Sequence, residues 1–261
     1  MSNQPIGVFD SGVGGLSILS EIHKILPLET TIFLADQAYV PYGRKSKKEL
    51  LMRVKKVMDF FNKKEVKAVV MACNTATVYT VDEMRKYYTF PIIGTVPVIK
   101  VIARMTRTGK TAVFSTPATA NSPYLTDLIA KFAPDIVVEK IGGSNLEELV
   151  ENGDLNNPAI FERLKFHLIP LLNDGVDTIA LGCTHYPFLK EKIQRIVGRK
   201  VKIVDSGSAV GRRLKEVLTN ENLLASQKEN DLYYTTGEKE KFDRVASELT
   251  KRTISGEHID L

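Results

Sequence analysis

The chain reads as an α/β protein built from two similar halves, each a mainly parallel sheet flanked by helices, and three observations lead there. Strand-like and helix-like runs alternate from end to end; the two cysteines sit in nearly the same local sequence; and a second short echo recurs about a hundred residues apart. Alternation of this kind specifies βα units and hence parallel strands with helices on both faces.

In chain order, apolar and β-branched runs predict strands at 6–9, 31–35, 68–72, 92–94, 110–114, 136–140, 178–181 and 201–204. Amphipathic spacing predicts helices at 16–26, 47–62, 78–87, 98–105, 124–132, 158–172 and 187–196. The run 205–221 adds another helix, and 232–235 followed by 238–249 add a last strand and helix. The densest basic cluster, Arg44-Lys45-Ser46-Lys47-Lys48 with Lys55-Lys56 and Lys63-Lys64 beyond, shares its helix with Leu50, Leu51, Val54, Val57, Met58 and Phe61. That spacing makes the lysines a solvated face, and without interleaved aromatics it does not make nucleic acid the main partner.

The echoes imply duplication. Val69-Val70-Met71-Ala72-Cys73-Asn74-Thr75-Ala76 parallels Thr178-Ile179-Ala180-Leu181-Gly182-Cys183-Thr184-His185, and Val8-Phe9-Asp10-Ser11 parallels Val113-Phe114-Ser115-Thr116. Asp10 precedes Cys73 by 63 residues and Ser115 precedes Cys183 by 68. A break near Pro97 therefore predicts two α/β units, residues 97–206 forming the second. Residues 1–96 with 207–261 form the first, each unit presenting one polar strand end and one thiol to a cleft between them. The carboxyl ends of parallel strands are where such folds hold ligands.

With 261 residues, 43% of them hydrophobic and 26% charged, and a formal net charge of +5, the chain has the make-up of an ordinary globular enzyme. Its first residues carry no basic segment followed by an apolar stretch, and no run reaches the roughly 18 apolar residues of a membrane span. A cytoplasmic protein with reduced thiols and no membrane partner is the expectation. No Cys stands in a CxxC pair or at metal-finger spacing, so no metal is expected, and no lysine sits in a motif for a pyridoxal Schiff base.

Either thiol alone would read as a small core residue. Recurrence with Asn74-Thr75 and Thr184-His185 points instead to paired acid/base groups: a base removes a proton from one face of a carbon and an acid returns one to the other. Cysteine, with an ordinary pKa near 8.5, suits both roles. With each sulfur roughly 3 to 3.5 Å from its reacting atom, the two would face each other across a bound carbon at about 6 to 7 Å, too far for a disulfide. Asp10 and His185 stand where they could tune the thiols, although Asp10 also reads as a helix cap and His185 as a packing residue. Ser11, Asn74, Thr75 and Thr184 offer neutral hydrogen bonds. Gly12, Gly14 and Gly15 offer backbone N–H groups at a helix start, suited to an anion. The same loop invites a nucleotide reading, but it lacks the GxGxxG order and a Walker lysine.

These motifs resemble one family closely. Gly7-Val8-Phe9-Asp10-Ser11-Gly12-Val13-Gly14-Gly15, Pro41-Tyr42-Gly43, the two cysteine motifs continuing through Tyr186-Pro187, Asp205-Ser206-Gly207 and Tyr234-Thr235-Thr236-Gly237 are similar to those of bacterial glutamate racemases, of the aspartate/glutamate racemase superfamily. The resemblance implies cofactor-independent interconversion of L- and D-glutamate for peptidoglycan, a two-domain fold and a homodimer. It makes Cys73 and Cys183 the acid/base pair, with Asp10, His185 and Glu151 assisting, although Glu151 reads equally as an exposed helix residue. Ser11, Tyr42, Gly43, Asn74, Thr75, Thr184 and His185, with Asp10, fall at substrate-holding positions, and Thr116 and Thr119 are further additions. One stretch departs from the pattern: many members carry a Cys-Pro pair where this chain reads Ile141-Gly142-Gly143-Ser144-Asn145-Leu146-Glu147-Glu148-Leu149. The departure bears on the back wall of the pocket and on strict preference for glutamate. A nucleotide-binding module and a non-enzymatic interaction protein are the alternative classes.

Overall fold

The computed structural model describes residues 2–143 and 145–261; Met1 and Ser144, each within a segment singled out above, lie outside the described residues. The strands are β1 (Ile6–Asp10), β2 (Thr31–Ala35), β3 (Ala68–Met71), β4 (Ile92–Gly94), β5 (Lys110–Ser115), β6 (Val137–Gly142), β7 (Thr178–Gly182), β8 (Lys202–Asp205), β9 (Leu232–Thr235) and β10 (Glu257–His258). The helices are α1 (Leu16–Ile25), α2 (Lys47–Lys63), α3 (Asn74–Tyr87), α4 (Ile99–Met105), α5 (Pro117–Ala120), α6 (Pro123–Phe132), α7 (Leu146–Glu151), α8 (Pro158–Asn173), α9 (Lys190–Val197), α10 (Gly207–Asn220) and α11 (Lys239–Thr250).

The strands form two sheets, ordered β10-β9-β2-β1-β3-β4 and β6-β5-β7-β8, with every pairing parallel. The order β2-β1-β3-β4 in the first is repeated as β6-β5-β7-β8 in the second, so β1 corresponds to β5 and β3 to β7. These are the strand pairs whose sequences echo one another, and both cysteines follow equivalent strands.

Each sheet is covered on both faces, which is why its strands read as continuous apolar runs rather than alternating ones. In the first, Val8, Phe33 and Val70 face α1, α10 and α11. Their chain neighbours Phe9, Leu34 and Val69 face α2 and α3. In the second, Phe114, Ile179 and Leu181 pack under α7, α8 and α9. Val113 and Ala180 pack against α4 and α6. On α2, Lys47, Lys48, Lys55, Lys56 and Lys63, with Lys64 just beyond its end, are exposed while Leu50, Val54, Val57, Met58 and Phe61 are buried, the solvated basic face expected from the spacing.

Three expectations need correction. The helix after Cys73 begins at Asn74 rather than 78, because Cys73 itself caps it: Sγ accepts a hydrogen bond from the Ala76 N–H at 3.5 Å. The helix after His185 opens with a 3-10 turn at Tyr186–Leu189 and becomes α-helical at Lys190. The expected set of elements also lacked α5, the short helix α7 and the two-residue β10.

A buried ion pair fastens the floor of the first sheet. Lys67 Nζ lies 2.5 Å from Glu29 Oε2, with side chains 1% and 2% exposed. Lys67 also donates to the Ser2 and Leu223 carbonyls, and Glu29 accepts from the Ala225 N–H. Removing one member leaves the other charge buried without its partner. Lys67→Met is expected to lower unfolding free energy by about 3–5 kcal/mol in urea titration, and adding Glu29→Gln to recover part of that loss.

Candidate active site

The carboxyl ends of the central strands of both sheets open onto one cavity, with about 340 Å³ of unfilled space. Its wall carries Ser11, Tyr42, Gly43, Cys73, Asn74 and Thr75 from the first sheet's side, and Thr116, Glu147, Cys183, Thr184 and His185 from the second's. Both thiols are free and almost wholly buried. Of the residues singled out in the sequence, Asp10, Glu151 and Thr119 do not line the cavity; they stand directly behind residues that do.

Cys73 follows β3 and caps α3, a fourteen-residue helix whose partially positive N-terminus favours negative charge on the sulfur. Ser11 Oγ lies 3.8 Å from Sγ. Burial, with the charge of Asp10 added, nonetheless pushes the thiol well above its ordinary range, against the pull of the Ala76 N–H and Ser11. Asp10 ends β1 and accepts from the Ser11 hydroxyl and the Gly12 N–H through Oδ1, at 3.0 and 3.2 Å. Its side chain therefore braces the turn rather than capping α1, whose N-cap is Gly15. Burial raises its pKa, His185 opposing.

Cys183 follows β7 but caps no α-helix. Its Sγ lies 3.6 Å from His185 Nδ1, and His185 Nε2 lies 2.6 Å from Glu151 Oε1. Burial raises the Cys183 thiol and the His185 contact lowers it, the first outweighing the second. Burial also pulls the imidazole down, but its contacts with Cys183 and Glu151 prevail and hold it well above 6.5. Glu151 is kept below 4.5: burial is outweighed by His185, the Gln37 side chain and the Val13 N–H.

Glu151 is thus no exposed helix residue. It is 4% exposed and accepts from Val13 N at 2.7 Å and Gln37 Nε2 at 2.8 Å besides meeting His185. In the glycine loop the Gly12 N–H is taken by Asp10 and the Val13 N–H by Glu151, so neither of these two amides is left for an anion. Its glycines serve close approach instead. A Cβ on Gly12 would stand 1.8 Å from Glu151 Oε1, and one on Gly14 2.5 Å from Thr184 Oγ1.

The remaining wall is held by hydroxyls and by one network unseen in the sequence. Thr75 Oγ1 lies 3.2 Å from both Thr116 Oγ1 and Thr119 Oγ1. Tyr42 donates its hydroxyl to Asp36 Oδ2 at 2.5 Å, and Arg53 grips both oxygens of that buried carboxylate. Asp36, Arg53 and Gln37 therefore fix the loop that carries Tyr42 and Gly43. Glu147 on the cavity wall was missed as well, although its four-residue spacing from Glu151 in a helical run is the signal that places both on one face.

The model of the Asp/Glu/hydantoin racemase family matches residues 6–213. The chain belongs to that family. A glutamate racemase from Pseudomonas putida strain F1 is 44% identical over 222 residues, covering 85% of this chain and 84% of the relative. A glutamate racemase isoform from Bacillus anthracis superposes with a TM-score of 0.90 at 32% identity, covering 100% of this chain and 99% of that one. One from Francisella tularensis, solved in complex with D-glutamate, gives 0.88 at 30%, covering 100% and 98%. In this racemase family member, among the described residues, no group of three or more His, Cys, Asp or Glu is placed to hold a metal ion, and no helix is long and apolar enough to cross a membrane.

The Glu151–His185 pair has a pH signature. A lowered carboxylate stabilises the fold above pH 4.5 and loses that contribution as pH falls through its lowered value; a raised imidazole contributes fully below 6.5 and loses it as pH rises through its raised value. The pair is complete between those limits. NMR titration is expected to find His185 protonated at pH 7, and Glu151→Gln to move its midpoint downward.

Proposed function

We propose that the protein interconverts L- and D-glutamate without a cofactor, by proton transfer between the substrate's α-carbon and two thiols, Cys73 and Cys183. The observation that carries this reading is the placement of two buried free thiols on one small cavity, each delivered by an equivalent strand of a duplicated fold. A single Cys can fill a core; two on opposite sides of one polar cavity match a carbon that must be approached from both faces.

The step balances with the protein's own groups. One sulfur, as thiolate, takes the α-proton, and the C–H electron pair passes into the α-carboxylate as the carbon flattens. The opposite thiol gives its proton to the other face and becomes the thiolate, ready for the reverse reaction. Around Cys183, the charged His185 steadies the thiolate and Glu151 fixes the ring; around Cys73, Asp10, Ser11 and the α3 terminus set the environment. Ser11, Asn74, Thr75, Thr184 and Thr116 supply hydrogen bonds for the carboxylates, with the backbone of the Tyr42–Gly43 turn beside them, and Thr119 supports Thr75.

On this reading D-glutamate feeds peptidoglycan synthesis, the enzyme works in the cytoplasm, and two copies pair as a homodimer. Residues 1–96 with 207–261 and residues 97–206 form the two domains. The taken glycine-loop amides argue against the nucleotide module.

Three measurements test the assignment. Dialysed protein with L-glutamate in D2O is expected to lose optical rotation while deuterium enters the α-position, and treatment with a chelator should change neither. Cys73→Ser and Cys183→Ser should each lower kcat for racemisation at least about 10²-fold in both directions; full turnover by either would sink the two-base mechanism. Because burial raises both thiols, kcat/KM should climb as pH increases from about 7 toward 9, following the thiolate fraction.

A further inference from the structure

The segment that departs from the family pattern puts a carboxylate on the cavity wall. Glu147 stands in the first turn of α7, is 8% exposed, lines the cavity, and has an Oε2 that meets no hydrogen-bond partner among the described residues. One helical turn later Glu151 is fully engaged, and immediately beside it Glu148 bonds Arg44 at 2.6 Å across the cleft mouth. Arg44 also donates to Asn145 Oδ1 at 2.7 Å, so the start of α7 is tied to the turn that carries Tyr42 and Gly43. Residues on either side of Glu147 are thus tied to that turn, while Glu147 itself lines the cavity with one oxygen unpaired among the described residues.

The charges on the wall do not balance this carboxylate. Among the described residues the only basic side chain lining the cavity is His185, and its two ring nitrogens already meet Cys183 and Glu151. Glutamate would bring two carboxylates and one ammonium into a space that expels water, leaving three carboxylates against the ammonium and an imidazolium already engaged. A buried carboxylate without a donor or counter-charge is unfavourable, whereas one that meets an N–H is satisfied. An α-amino acid with a γ-amide has the same length and shape as glutamate, removes one negative charge, and supplies the missing donors.

Resting on the racemase reading above, we infer that Glu147 is a specificity-determining residue that reads the charge of the substrate's side chain, so that the enzyme also racemises amino acids ending in a neutral hydrogen-bond donor, of the glutamine class. Glu147 discriminates by repelling the wrong group as well as by bonding the right one.

The test is a substrate ratio, which general loss of packing does not move. Wild type, Glu147→Val and Glu147→Gln are assayed for racemisation of glutamate and glutamine by loss of optical rotation, with folding checked by circular dichroism. Wild type is expected to turn over both. In both variants kcat/KM for glutamate relative to glutamine is expected to rise about tenfold or more, mainly through a lower KM for glutamate. The near-isosteric Gln variant carries the comparison if the Val variant does not fold. An unchanged or falling ratio overturns the inference, as does a higher glutamate KM in Glu147→Gln, which would make Glu147 the partner of the ammonium. Wild-type turnover of glutamate but not glutamine overturns the inference and leaves the proposed function standing; turnover of neither removes both.

Discussion

One carboxylate, Glu151, holds the two halves of this molecule in working relation. It reaches from α7 beside the second sheet to the Val13 N–H and the Gln37 amide beside the first, and on its own side it holds the His185 ring. A buried carboxylate is tolerable only when its lone pairs are met. Three donors converge on it, two from one half and one from the other, so separating the halves would strip a buried charge of its partners. Gly12 exists to permit this, since any side chain there would occupy the carboxylate's place. At Gly12 and Val13 the glycine-rich loop thus gives its amides to protein carboxylates.

The fold is duplicated but its two thiols are not electrostatic equivalents. Parallel strands bring both to carboxyl ends, and there the likeness stops. Cys73 continues into an α-helix and draws on that helix's N-terminus, with Asp10 nearby. Cys183 continues into a 3-10 turn and draws on an imidazolium fixed by Glu151. A reversible proton transfer needs two groups whose proton affinities can be exchanged, not two identical sites. Two different sources of positive potential, a helix end and a charged ring, stand beside the two sulfurs and come from different local sequences.

Most of the fold was legible because its signals are local. Buried parallel strands announce themselves as short apolar runs, and all but the two-residue β10 were read within a residue or two. That the two cysteines, Ser11, Asn74, Thr75 and Thr184 meet at one cavity was legible because the carboxyl ends of parallel strands converge there. What escaped depends on contacts between distant segments. Asp36 and Arg53 look like ordinary surface charges in sequence, and become a buried pair only when α2 lies over the end of β2. Glu151 could be placed by resemblance, but its burial follows from the approach of α7 to the glycine loop. The helix 146–151 itself was obscured by its unusual opening residues, and with it the carboxylate of Glu147.

The two acidic residues of α7 show how position, not residue type, decides a role. They lie about one turn apart on the same face of the same helix, about 6 Å along its axis, and both are more than nine-tenths buried. Both oxygens of Glu151 already meet donors, two at Oε1 and one at Oε2, so it serves to hold its neighbours. Glu147 is flanked by residues that Arg44 contacts, and its Oε2 meets no donor among the described residues. Folding alone gains nothing from leaving that oxygen unpaired. A carboxylate so placed is tolerable in the free protein only beside a cavity that water or a ligand can enter, and it then penalises ligands that bring a second negative charge to the same spot. On the inference drawn above, Glu147 therefore bears on selection of the substrate, while Glu151, one turn away, holds the His185 ring beside Cys183.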